Sequence, residues 1–145
     1  MTELYLRLLD RVLTPTLLVL ALLLFLRGHD LPGGGFIAGL VAAAAIQLHI
    51  LGTSVAATDK ALGSRLLPLV GWGLLIAVTS AIIGLSAGGF FKGVWVQFTL
   101  GAYEIKIGTP VTFDLGVGMV VVGMAVTYLL RLAEQSNGGD AEGQP

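Results

Sequence analysis

The chain contains no cysteine. That excludes disulfides, thiolate metal sites and a cysteine nucleophile, and leaves the redox compartment unread. Charge is scarce: Asp, Glu, Lys and Arg make up 12% of the residues, against about 25% in a soluble domain. With 55% hydrophobic residues and a mean hydropathy of +0.90, the composition is that of an integral membrane protein. The net charge of −1 gives no reason to expect nucleic acid as a partner. Histidine occurs twice, with no further His or Glu at ligand spacing, so a metal shell is not expected. A GxxxxGK[ST] motif, a Rossmann acid, a Ser/His/Asp set and paired carboxylates are all missing. The chain reads as a non-enzyme without a cofactor, and its 145 residues as one domain.

Four apolar runs are present, which predicts an all-α membrane protein of four transmembrane helices at about 4–26, 36–55, 66–87 and 115–132. The run from Val12 to Leu26 is short against the ~20 residues needed to cross. Its helix is therefore expected to begin near Leu4, with Arg7 and Arg11 snorkelling to the interface. It lacks a small-residue cleavage site, so it does not read as a signal peptide. Five of the eight basic residues (Arg7, Arg11, Lys60, Arg65, Arg131) fall on the side of the termini, which predicts cytoplasmic N- and C-termini. Residues 133–145 read as a polar, disordered cytoplasmic tail.

On this orientation the loop at 88–112 faces outward. Val94 to Leu100 and Tyr103 to Ile107 alternate in character around Gly101-Ala102, which reads as a β-hairpin. Trp95 and Tyr103 suit the membrane–water interface.

The densest signal is the connector Arg27-Gly28-His29-Asp30-Leu31-Pro32-Gly33-Gly34-Gly35-Phe36. Pro32 fixes its own φ and displaces Leu31 from helix. Three consecutive glycines then permit a tight delivery of the chain into the second helix. Gly35, Gly39, Ala43 and Gln47 form one stripe down that helix, and Gly35-xxx-Gly39 is a small-xxx-small pattern. Ser80, Gly84 and Gly88 form a second stripe, and Gly116, Gly118 and Gly123 thin the last helix. Small faces need partners, and four short helices offer few, so a subunit of a larger assembly is expected; the alternative is that the stripes pack internally.

Ion routes in membranes use ionisable side chains. His49 is a proton-relay candidate or a neutral interfacial histidine, and Gln47 lies two residues before it. His29 and Asp30 could pass ions at the outer surface or could orient the turn. Asp114 is expected to cap the last helix. The triple glycine could also serve an anion-binding module or enzyme.

These residues resemble a known family. Gly28-His29-xx-Pro32-Gly33-Gly34-Gly35-Phe36-Ile37-Ala38-Gly39-Leu40 looks like the signature of the B subunit of the multi-subunit Mrp/Mnh-type sodium/proton antiporter. Gly108-Thr109-Pro110-Val111-Thr112-Phe113-Asp114-Leu115-Gly116-Val117 is similar to the start of that family's last helix. The resemblance runs from Leu4 to Leu132. It implies a bacterial inner (plasma) membrane complex exchanging Na+ and H+, whose large complex I-like subunits carry the central proton relay. It carries over His29, Pro32, Gly33, Gly34, Gly35, Phe36 and Gly39, first as turn geometry and subunit contact and second as ion passage. A pure scaffold is the remaining reading.

Overall fold

The computed structural model describes residues 2–28, 34–53, 55–86, 95–100 and 103–142. Helix α1 spans Thr2–Arg27, α2 Gly35–Gly52, the short α3 Val55–Thr58, α4 Ser64–Ser86 and α5 Thr109–Glu142. A π-helical segment, Asp59–Gly63, joins α3 to α4. Four helices are long and apolar enough to cross a membrane: Tyr5–Arg27, Gly35–Gly52, Asp59–Gly84 and Thr109–Gln135. The chain is a multi-pass membrane protein.

Several boundaries differ from the expected ones, each for a local reason. Helix α2 stops at Gly52 rather than 55, where Thr53 leaves helical backbone and its hydroxyl donates to the His49 carbonyl at 2.8 Å. Helix α5 begins at Thr109, not Leu115. Pro110 then falls in the first turn, where its missing N–H costs nothing and its fixed φ suits a helix. The same helix runs on to Glu142, so residues 133–142 are helical where a disordered tail is expected. Arg131 donates to Glu134 at 2.9 Å one turn on, and Ala133, Glu134 and Gln135 are good helix formers.

Strands β1 (Trp95–Leu100) and β2 (Tyr103–Gly108) pair antiparallel, from Trp95 opposite Gly108 to Leu100 opposite Tyr103. The turn Gly101-Ala102, the side chains of Trp95 and Tyr103, and residues 87–94 lie outside the described residues.

Helix α5 packs on both α2 and α4, and α1 packs on α2. Glycine sets these spacings. A Cβ built on Gly73 would meet the Gly116 carbonyl at 2.7 Å, and one on Gly116 would meet the Gly73 carbonyl at 2.5 Å. A Cβ on Gly39 would lie 3.0 Å from the Gly118 carbonyl, and one on Gly118 3.1 Å from that of Gly35. The chain thus spends its small faces on its own helices. The stripe Gly35-Gly39-Ala43-Gln47 faces α5, and Gly73, Ser80 and Gly84 on α4 are buried. This corrects the expectation that these faces await other subunits; Gly88 is outside the described residues. What remains bare is aliphatic. Val12, Val19, Leu22, Leu23 and Leu26 on α1 are more than half exposed, as are Leu74 and Leu75 on α4. The compact apolar core is small: Ile50, Leu66, Val126 and Leu130, with Ile46, Val122 and Leu129 against it.

Candidate ion-route residues

His29, Asp30, Pro32 and Gly33 lie outside the described residues. The connector is described from Gly34, whose φ of 90° is in the left-handed region that favours glycine. Its N–H donates to the Leu24 carbonyl at 3.4 Å, and its carbonyl accepts from Ala38 at 3.0 Å. The start of α2 is therefore tied to the end of α1.

Asp114 lies against this start. A Cβ on Gly34 would be 2.9 Å from Asp114 Oδ2, and a Cβ on Gly35 would fall on the Asp114 carbonyl. Asp114 is thus not the cap of its own helix, which begins five residues earlier at Thr109. Its carboxylate is placed over the first turn of the neighbouring α2, where a negative charge complements the helix dipole. No side chain on α2's own N-cap satisfies that turn, because the N-cap is Gly34. Phe36 projects outward and is 56% exposed.

Further along α2, Gln47 Nε2 donates to the Ala125 carbonyl of α5 at 3.1 Å. That carbonyl has a second lone pair to offer, and an interhelical amide of this kind holds helices together in lipid. Gln47 is therefore engaged in α2–α5 contact.

His49, two residues on, faces α1. Its Nδ1 lies 2.9 Å and 3.2 Å from the two Asp10 carboxylate oxygens. Thr14 Oγ1 donates to Asp10 Oδ1 at 2.6 Å and lies 3.4 Å from the Ala45 carbonyl. The Asp10 side chain is 15% exposed and that of His49 53%. Sequence reading misses Asp10, because it stands between Arg7 and Arg11 in a stretch that reads as interfacial. Thr14 four residues later is the available hint, since i and i+4 share a helix face. Nothing in the sequence pairs Asp10 with His49, which is 39 positions away.

The candidate residues thus fall into two groups on α2. Gly34, Gly35 and Asp114 sit at its start, and Asp10, Thr14 and His49 at its end, roughly 20 Å apart at 1.5 Å per residue. Among the described residues no three His, Cys, Asp or Glu side chains gather as a metal site.

Comparison with known proteins adds a family. The family model described as "Domain related to MnhB subunit of Na+/H+ antiporter" matches residues 5–127. The B subunit of the Na+/H+ antiporter of Alkalihalophilus pseudofirmus is 37% identical over 130 residues, covering 87% of this chain and 89% of that protein. Its counterpart of the same name in Bacillus subtilis is 32% identical over 126 residues, covering 82% and 85%. A probable K+/H+ antiporter A/B subunit of Rhizobium meliloti is 32% identical over 133 residues, which are 87% of this chain and 13% of that one. Among solved structures, a chain of the Mrp complex from Dietzia sp. matches with a TM-score of 0.72 and 28% identity. The match covers 90% of this chain and 14% of that chain.

Proposed function

This chain belongs to the MnhB family of Na+/H+ antiporter subunits, and from that premise we propose that it is the B-type subunit of a multi-subunit antiporter exchanging Na+ for protons. It is a transporter component, not an enzyme. The observation that carries the reading is the shortage of ionisable groups in the middle of the described spans, where the acidic groups nearest the centre are Asp10, against His49, toward one end and Asp114 toward the other. Two separated groups do not make a continuous proton path across a bilayer. The chain therefore completes an assembly whose large complex I-like subunits hold the central relay. An A-type subunit is the natural neighbour, since the Rhizobium relative is named as A and B together. The anion-site alternative is disfavoured by the Asp114 carboxylate, which occupies the N–H end of α2 that an anion would need.

The test is antiport in everted vesicles. Deleting this chain from the complex is expected to abolish sodium-driven proton movement, and the chain reconstituted alone is expected to show none. Exchange by the isolated chain would overturn the subunit reading, and full antiport without it would leave it a bystander.

The membrane is read as the bacterial inner membrane, with both termini cytoplasmic. The support is the excess of basic residues at that end. On this reading Asp10 and His49 sit toward the cytoplasm, and Gly34 and Asp114 toward the outside. A cysteine at Ala102 should react with an impermeant thiol reagent outside intact cells, and one at Ser136 should not. The opposite labelling pattern would invert the topology.

A further inference from the structure

Between α4 and α5, at the end where α2 begins, lies a cavity of about 110 Å³ lined by Ser80, Ala81, Thr109, Pro110, Phe113 and Asp114. Ser80 is 5% exposed. Neither its hydroxyl nor the Asp114 carboxylate has a hydrogen bond or ion-pair partner among the described residues. A buried hydroxyl left unpaired is costly, and a carboxylate inside a membrane span more so. Two such groups on one small cavity call for an occupant. The chemistry is oxygen only: the Asp114 carboxylate and the Ser80 hydroxyl. Oxygen ligands suit hard cations rather than thiophilic or imidazole-seeking metals. The volume admits roughly three water-sized ligands at about 30 Å³ each, enough for a partly hydrated alkali ion. Ala81, Pro110 and Phe113 supply apolar wall, which strengthens the attraction of a lone carboxylate for a cation.

We propose that the Asp114–Ser80 cavity binds an alkali cation, sodium in the first instance, near the outer mouth of this subunit. The inference rests on the antiporter reading but names a site within this chain. Asp114 supplies the charge, Ser80 a second oxygen, and water the remaining ligands. The carboxylate's place over the first turn of α2 couples occupancy to the connector that carries Gly34.

The experiment uses the whole complex in everted vesicles, with antiport rate measured against Na+ concentration at fixed pH and complex abundance followed in parallel. Asp114→Asn keeps the shape of the side chain but removes the charge. Loss of one charge-assisted contact is expected to raise the half-saturating Na+ concentration about tenfold. Asp114→Glu should recover part of that. Ser80→Ala removes one oxygen and suits a helix interior; it should raise half-saturation about threefold at parent abundance. If Asp114→Asn destroys assembly, Ser80→Ala carries the test alone. Parent half-saturation in either variant, in a complex that still requires this chain, would overturn the site while leaving the subunit reading intact. A fall in maximal rate at unchanged half-saturation would overturn it as well, since that outcome belongs to structure or proton traffic rather than to cation binding.

Discussion

Gly35→Ala is expected to remove this chain from the assembled complex, although it adds a single methyl group. The added Cβ would occupy the position of the Asp114 backbone carbonyl, which has no rotamer by which to move aside. From the other side, the space around Gly118 is closed by the Gly35 carbonyl at 3.1 Å. Relief requires α2 and α5 to separate, and the Gln47–Ala125 bond lower down resists it. Overpacking of this kind costs about 1–3 kcal/mol where neighbours can yield, and backbone yields least. Gly39→Ala is gentler, because its nearest contacts are at 3.0–3.1 Å and a shift of a few tenths of an ångström accommodates it. Gly39→Leu has no such escape and should behave like Gly35→Ala. Gly71 is the control: a Cβ there meets nothing within 4 Å, so Gly71→Ala should be silent or gain up to about 1 kcal/mol of helix propensity. Complex abundance on native gels orders the four variants. Equal abundance for Gly35→Ala and Gly71→Ala would show that α2 and α5 do not meet where the glycines place them.

The four spans are legible because hydropathy alone selects them, and Gly35 and Gly39 because four-residue spacing marks one helix face. Their partner is not legible. Periodicity names a face but not what lies opposite, and Gly118 stands among three glycines in the first half of α5 that look alike in sequence. In the structure they divide: Gly116 and Gly123 turn to α4, and Gly118 turns to α2. Gly73 escapes notice for the converse reason, since its one small neighbour at four-residue spacing is Ala77, with Leu69 on the other side. Asp114 reads as a cap because an acid after Pro110 and Thr112 resembles a helix start. The error lies in the boundary. Pro110 is compatible with the first turn, so the helix begins before it and carries Asp114 onto the flank of α2. The Asp10–His49 contact depends on the α1–α2 docking register, which no local pattern encodes.

Asp10 and His49 give the second large effect, and its direction separates a clamp from a relay. Helix α1 is the least enclosed of the long helices, with its aliphatic side chains mostly bare. Lipid tails are as apolar as leucine, so aliphatic contact with α2 contributes little association energy in a bilayer. The polar contact at 2.9 Å, braced by Thr14, is what specifies how α1 lies on α2. A hydrogen bond to a charged group is worth about 1.5–3 kcal/mol, and the 53% exposure of His49 reduces that toward about 1 kcal/mol. His49→Ala and Asp10→Ala should therefore each lower complex abundance roughly fivefold. The double variant should be no worse than the more severe single one, because both remove the same contact. His49→Arg decides the role. Arginine offers Asp10 a donor but does not release a proton in the physiological range. A clamp predicts parent abundance and parent antiport for His49→Arg across a pH series in everted vesicles. A complex that assembles fully with His49→Arg but moves no protons would make His49 a proton carrier and end the clamp reading.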